Sequence, residues 1–332
     1  MKRRVALIGT GGTISSIGRG SLDLWEYMDT SRKAEPDELL VRFPEVAEAA
    51  EIVSVRFRSV GSTAIGPVEW LALAASVHDA VGREAPLDGV VITHGTATLE
   101  ETAYFLNLTL KVDATVVLVG SQRPATGLSS DAGLNLLNAV RVAGAPEARG
   151  LGVLVLLNDE IQTARDVTKT STLRLEAFRS HDLGTLGYAD PDGRVAIYRR
   201  PSRRHAPDTE FDVRDRTELP RVDIAASYAG ADGAAIRAFI AAGARAIVAA
   251  ELPPGVTTPA ETEALLEARG RGVLIVVSSR AGSGRVLPRT LLRQQGLVVA
   301  DNLTPQKARV LAMLALTRTG DASEVQRMFD EY

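Results

Sequence analysis

The feature that most restricts what this chain can fold into is a set of short apolar runs that do not alternate with polar residues. Val5–Ile8, Gly89–Thr93 (GVVIT), Ala114–Gly120 (ATVVLVG) and Leu151–Leu157 (LGVLVLL) are of this kind. A strand with one wet face alternates apolar and polar residues, whereas a run apolar throughout suits a strand covered on both faces. Helix-period segments lie between the runs, among them Pro67–Val81 and Leu99–Lys111. Strands alternating with helices give a parallel, doubly wound sheet. The fold class is therefore α/β.

The rhythm breaks once. The stretch Arg194–Val213 (RVAIYRRPSRRHAPDTEFDV) is basic, polar and proline-containing, and reads as a hairpin followed by a linker. The α/β pattern then restarts, with strand candidates Val222–Ser227, Ala246–Ala250 and Val273–Val277 separated by helices Gly233–Ala242 and Pro259–Arg269. Pro305–Tyr332 reads as helix, with Lys307, Val310, Leu311, Leu314 and Ala315 on one face. The expected organisation is a larger, mostly parallel catalytic domain over 1–195, a linker over 196–214 and a smaller α/β domain over 215–332. A length of 332 residues suits two domains of about 100–200 residues each.

Composition narrows the chemistry. The net charge is −3, from 38 basic and 41 acidic residues, without the basic excess of a nucleic-acid binder. There is no cysteine, which removes disulfides, thiolate nucleophiles and cysteine-ligated metals. The four histidines form no HxxxH or HExxH spacing, so no metal is expected. What remains is chemistry by hydroxyls, carboxylates, lysines and backbone groups. No stretch approaches the roughly 20 apolar residues of a membrane span. The opening MKRRVALIGTGGTISS has a four-residue apolar run before its glycines, against the roughly 7–15 of a secretory signal. A cytoplasmic protein is expected.

Four segments carry candidate chemistry. Gly9–Thr13 ends the first strand, at the sheet edge where doubly wound folds bind ligands. It lacks the third glycine of a dinucleotide fingerprint and the GK[ST] of a P-loop. Taken alone, it is equally a tight turn whose threonines satisfy backbone groups. Thr93–Glu101 (THGTATLEE) follows a second buried strand. Thr98 with Glu101 has the form of a capping box for a helix starting at Leu99, which puts Thr96 beside a helix N-terminus. Asp166–Thr172 (DVTKTST) sets a lone lysine among hydroxyls. Lys169 is either an exposed loop residue or, if desolvated, a base toward a nearby hydroxyl. Gly61–Ile65 (GSTAI), after the strand candidate Val53–Arg58, is a helix cap or a carboxylate-binding turn.

Together these segments resemble the bacterial-type L-asparaginase family. The resemblance rests on Thr10–Ile14 (TGGTI), Thr93–Leu106 (THGTATLEETAYFL), Val119–Pro124 (VGSQRP), Asp166–Thr170 (DVTKT) and Leu303–Leu311 (LTPQKARVL), in order along nearly the whole chain. It implies a two-domain asparaginase-like fold and an amidohydrolase that releases ammonia through an acyl-threonine ester, without metal or cofactor. By the same resemblance Thr13 is the nucleophile, Tyr27 in an N-terminal loop its activator, and Thr96 and Lys169 the second threonine and its lysine. Ser62 and Thr63 hold the substrate carboxylate, and the backbones of Gly12, Gly95 and Ser121 approach the substrate. The family's homotetramers, a dimer of dimers with sites shared between subunits, are implied as well.

The sequence departs from the family pattern at Ala97, where the motif has an aspartate that binds the substrate's α-ammonium. An asparagine of the small domain is absent from Glu251–Val256 (ELPPGV). Ser278–Val299 holds four arginines, Arg280, Arg285, Arg289 and Arg293, and no acid. Three readings stay open at this level. They are L-asparagine hydrolysis, hydrolysis of a carboxylate-bearing amide, imide or lactam lacking the α-amine, and a non-catalytic small-molecule binder on the same fold.

Overall fold

In a computed structural model the chain is described over residues 2–83 and 85–332. It divides into two compact units, one ending at Asp215 and the other running from Arg216 to Tyr332.

The first unit is organised by an eight-stranded sheet of β1 (Arg4–Gly11), β2 (Glu51–Val60), β3 (Gly89–Thr93), β4 (Thr115–Val119), β5 (Val153–Leu157), β6 (Glu160–Thr163), β7 (Gly187–Ala189) and β8 (Val195–Ile197). Their order is β8-β7-β6-β5-β4-β3-β1-β2. The pairings from β2 through β5 are parallel, and β6, β7 and β8 add on antiparallel. The continuous apolar runs became β1, β3, β4 and β5. Every residue of β3, β4 and β5 is buried, as a strand covered on both faces requires. β2 is an edge strand, and its mixed pattern of half-buried and exposed residues follows from pairing on one side only.

Helix α1 (Tyr27–Thr30) is a single turn. The longer helices are α2 (Pro67–Val81), α3 (Leu99–Thr109) and α4 (Ala132–Gly144). Proline at the first position starts α2 without losing a hydrogen bond, and the Gly66 N–H donates to Glu69 Oε2 at 3.1 Å. In α3 every residue except Glu101 is buried. Its Phe105 stacks on Trp70 of α2 with ring centroids 5.4 Å apart, and Trp70 Nε1 donates to Thr102 Oγ1 at 2.9 Å. Leu136, Ala139 and Val140 of α4 form one core with Val5, Leu7, Val91, Val117 and Leu154 of the sheet. Burying each of these leucine and valine side chains is worth about 1.5–3 kcal/mol, so this core fixes the strand ends from which the loops start.

The topology marks one place on the sheet. β1 lies between β2 and β3, and the chain passes from β1 outward to β2 before crossing to β3 on the other side. Loops leaving β1 and β3 therefore start side by side at the switch point, where a doubly wound sheet has its crevice at the carboxyl ends of the strands.

The segment 196–214, expected as a linker, packs on the first unit. The Ala206 N–H donates to Asn107 O at 2.8 Å, Thr209 Oγ1 to Leu108 O at 2.7 Å, and Phe211 is buried. Its basic composition hid a segment tied to the end of α3 by backbone groups. The hairpin read before it is present as β7–β8.

The second unit holds a parallel sheet in the order β9 (Val222–Ala226), β10 (Ala246–Glu251), β11 (Leu274–Ser279), β12 (Val298–Val299). Its helices include α5 (Ala234–Ala241), α6 (Pro259–Gly270), α7 (Pro305–Ala315) and α8 (Ala322–Glu331). The single terminal helix expected from Pro305 onward is two helices. Asp321 accepts from the N–H groups of Ser323 and Glu324 at 3.0 Å and so starts a new helix after Gly320. Among the described residues no helix is long and apolar enough to cross a membrane.

Candidate active site

The loops after β1 and β3 meet at the strand ends. Gly12 has φ 80° and ψ −176°, a backbone region essentially closed to residues with a side chain. A Cβ at Gly12 would lie 2.3 Å from both Cα and N of Gly95, and one at Gly95 would lie 2.8 Å from Cβ and Oγ of Ser62. Glycine at these two positions lets three backbone segments close on one another. The contact is pinned by hydrogen bonds from Gly12 N to Val60 O (3.0 Å), Thr10 Oγ1 to Thr93 O (2.8 Å) and Thr98 Oγ1 to Ser62 O (2.8 Å). Thr98 was expected to cap α3. Its hydroxyl instead ties the β3 loop to the turn at Ser62, and no side-chain cap forms there.

Each of the two meeting loops carries a threonine one residue further on, and each threonine has a partner. Thr13 opens a 3-10 turn, and its Oγ1 shares a hydrogen bond with Tyr27 Oη at 3.1 Å. Tyr27, expected in a loop, lies at the start of α1 and is buried. Burial pushes its phenol above the usual value, more than the Thr13 hydrogen bond pulls it down, and the charges of Asp131 and Asp23 add to the rise. Tyr27 thus stays a neutral hydroxyl at ordinary pH.

Thr96, itself buried, accepts a hydrogen bond from Lys169 Nζ at 2.7 Å. Lys169 sits in the two-residue strand Thr168–Lys169, which pairs with Phe178–Arg179 after the β5–β6 hairpin. Burial lowers its pKa from the usual lysine value, and the charge of Glu100 opposes that shift. The alternative of an exposed loop lysine is thereby set aside. His94, the first residue of the loop after β3, is fully buried and held down to about 4 by desolvation. Its Nδ1 lies 2.8 Å from Gly95 O, which can only accept, so Nδ1 carries the proton and the ring is neutral.

Ser62 is buried and opens the 3-10 turn Ser62–Ala64, with Thr63 exposed beside it. Ser121, at the end of β4, is buried, and its Oγ donates to Arg123 O at 2.6 Å. Ala97 is an exposed residue between Thr96 and Thr98.

Two family models match the chain. The family described as "Asparaginase, N-terminal" matches residues 4–203, and "Glutaminase/Asparaginase C-terminal domain" matches 221–329. The chain belongs to the asparaginase family. A glutaminase-asparaginase of Pseudomonas fluorescens biotype A is 42% identical over 331 residues, covering 99% of this chain and 90% of that protein. L-asparaginase 2 of Bacillus subtilis (strain 168) is 40% identical over 328 residues, covering 99% and 86%. The crystal structure of a probable cytoplasmic L-asparaginase from Campylobacter jejuni superposes with a TM-score of 0.94 at 40% identity, covering all of both chains. The α/β fold class read from the sequence is that of the asparaginase family.

Sequence reading passed over two residues beside these loops. Asp131 caps the loop after β4 by accepting from Gln122 N and Arg123 N, both at 2.9 Å, and its charge acts on Tyr27. Glu100 is 6% exposed and lies against Lys169. No local signal marked it, because Thr96 precedes α3 and its four-residue separation from Glu100 is not a helical spacing. In the second unit three of the four arginines of Ser278–Val299 have partners of their own. Arg280 Nη1 donates to Ser227 O at 3.1 Å, Arg285 pairs with Asp301, and Arg289 Nη2 donates to Gly255 O at 2.6 Å. Glu251, at the end of β10, is buried, and its carboxyl is pushed up to about 7 by desolvation.

Proposed function

We propose that the chain hydrolyses the side-chain amide of L-asparagine to L-aspartate and ammonia. One observation carries the reading. The Thr13–Tyr27 and Thr96–Lys169 pairs stand at neighbouring positions of a single loop contact, in the crevice beside β1. A threonine hydroxyl is a weak nucleophile until a base accepts its proton. Here Thr13 Oγ1 adds to the amide carbon, with Tyr27 orienting the hydroxyl and relaying its proton. The leaving nitrogen takes that proton, the C–N bond breaks, and ammonia departs from an acyl-threonine ester. Water then attacks the ester carbon, Thr13 Oγ1 regains a proton, and aspartate leaves. Lys169, whose neutral form burial brings within reach, takes the water's proton through Thr96. Ser62 and Thr63 hold the substrate carboxylate, and Gly12, Gly95 and Ser121 approach it through their backbones. The names of the relatives support the substrate, and make L-glutamine the first competitor to compare.

Two further assignments belong to this reading. The protein works in the cytoplasm, the compartment named for its Campylobacter structural relative, although a Haemophilus influenzae relative is named as periplasmic. It assembles as a homotetramer with no nucleic-acid or membrane partner. Light scattering is expected to give about four times the chain mass of 35.3 kDa. The function is tested by coupled ammonia release with Thr13→Ala as comparator. Turnover in the parent and none in a folded variant supports the reading. Equal release by both, or ligand binding without any release, refutes it.

A further inference from the structure

Beside the Thr96–Lys169 pair lies a carboxylate that the proposed reaction leaves without a role. Glu100 occupies the first turn of α3, four residues after Thr96, and is 6% exposed. A carboxylate there benefits from the positive end of the helix dipole. Its Oε1 accepts a hydrogen bond from the Lys169 backbone N–H at 3.4 Å. Its Oε2 is buried and has no hydrogen-bond partner among the described residues. A buried oxygen left without a donor costs about 1–3 kcal/mol, more when charged, so the placement calls for a compensating interaction.

The other charges nearby are already committed. Arg165 and Asp166, in the turn before Lys169, pair with each other at 3.1 Å. Arg179, on the strand paired with Lys169, stands opposite Thr168, is exposed, and acts on Glu160. Among the described residues Glu100 is the one carboxylate whose charge acts on Lys169, and it works against the lowering that burial imposes. Position 97, next to Thr96, carries a methyl group and supplies no charge.

We propose that Glu100 is the positioning residue of the Thr96–Lys169 pair: its carboxylate holds Lys169 in register with Thr96 and stabilises the ammonium each time the lysine has taken a proton. The backbone contact to Lys169 fixes the strand, and the buried carboxylate offsets the growing positive charge. This rests on the hydrolytic reading above, but its test does not depend on turnover. Glu100→Gln keeps size and an acceptor oxygen while removing the charge. A nearby opposite charge raises a lysine pKa, by roughly 1–3 units within about 4–6 Å. The Lys169 amine is therefore expected to titrate about one pH unit or more lower in the variant, followed by isotope-edited NMR of dimethylated lysines assigned with Lys169→Arg. The acid limb of kcat for ammonia release is expected to move the same way, with kcat falling about tenfold or more as the pair loses its register.

An unmoved Lys169 titration overturns the proposal, whatever happens to kcat. A lower kcat with an unmoved acid limb makes Glu100 a packing residue only, which also overturns it. Should Glu100→Gln not fold, the reciprocal measurement needs no change at Glu100. Its side-chain carboxyl resonance is expected to step at the Lys169 midpoint in the parent protein and to lose that step in Lys169→Met. A resonance without the step refutes the coupling. Absence of ammonia release from the parent would defeat the hydrolytic reading while leaving both titrations to decide this one.

Discussion

Gly12→Ala tests whether the closure of the two loops is what builds the site. The new Cβ would lie 2.3 Å from Cα and N of Gly95 and 2.7 Å from His94 C, all backbone atoms with no rotamer to yield. Ordinary contact begins near 3.4 Å, so the loops must part by about 1 Å. Holding alanine at φ 80° and ψ −176° adds roughly 1–3 kcal/mol of strain. Overpacking adds a further 1–3 kcal/mol or so, for a total destabilisation of about 2–6 kcal/mol. Displacing Thr13 from Thr96 by that distance is expected to lower kcat/KM about a hundredfold. Gly61→Ala is the matched control. It sits beside Ser62 at φ −67° and ψ 146°, and its Cβ would meet only Thr63 Oγ1, at 3.9 Å. Thermal denaturation and ammonia release on parent, Gly12→Ala and Gly61→Ala give the readout. The reasoning fails if Gly12→Ala keeps activity within about threefold of the parent, or if Gly61→Ala is equally damaging.

Four other outcomes are expected. Lys169→Met should lose about 10²–10⁴-fold in kcat by steady-state ammonia release, yet melt no lower than the parent, since a desolvated lysine has been removed. Tyr27→Phe should leave the fold intact and reduce kcat more than it raises KM, because its hydroxyl contacts Thr13, the proposed nucleophile. Ala97→Asp returns a carboxylate beside Thr96 and should raise kcat/KM for asparagine by about 10-fold or more, with little change for succinamate, its analogue without the amine. Glu251 has a folded pKa near 7, raised above its unfolded value, so its stabilising contribution is complete below the unfolded value and is lost as pH rises through about 7. Melting of Glu251→Gln against the parent should therefore show a larger relative gain at about pH 8 than at about pH 5.

How much of this was legible in the sequence depended on whether the deciding interaction was local. β3 spans the residues read as GVVIT, because burial on both faces leaves an unbroken apolar run. α2 spans Pro67–Val81 because a proline start and a helical period are both written locally. The two threonine loops stood out because glycine and threonine follow a buried strand, though the residues alone left a tight turn or a cap equally open. The misreadings share a different cause. Thr98 with Glu101 satisfies the local pattern of a capping box, but a backbone carbonyl 36 residues away competes for the hydroxyl and wins. The basic stretch over 196–214 reads as solvated, but its anchors are the backbone groups of Asn107 and Leu108, which no side-chain pattern announces. Glu100 was missed for the same reason. Along the chain it is one acid of a Glu-Glu pair opening a helix, the most ordinary place for a carboxylate. Only the return of the chain 69 residues later, with Lys169 laid against it, separates its role from that of its half-buried neighbour Glu101. The chemistry of this crevice therefore lies less in any one motif than in which motif each strand end is made to face.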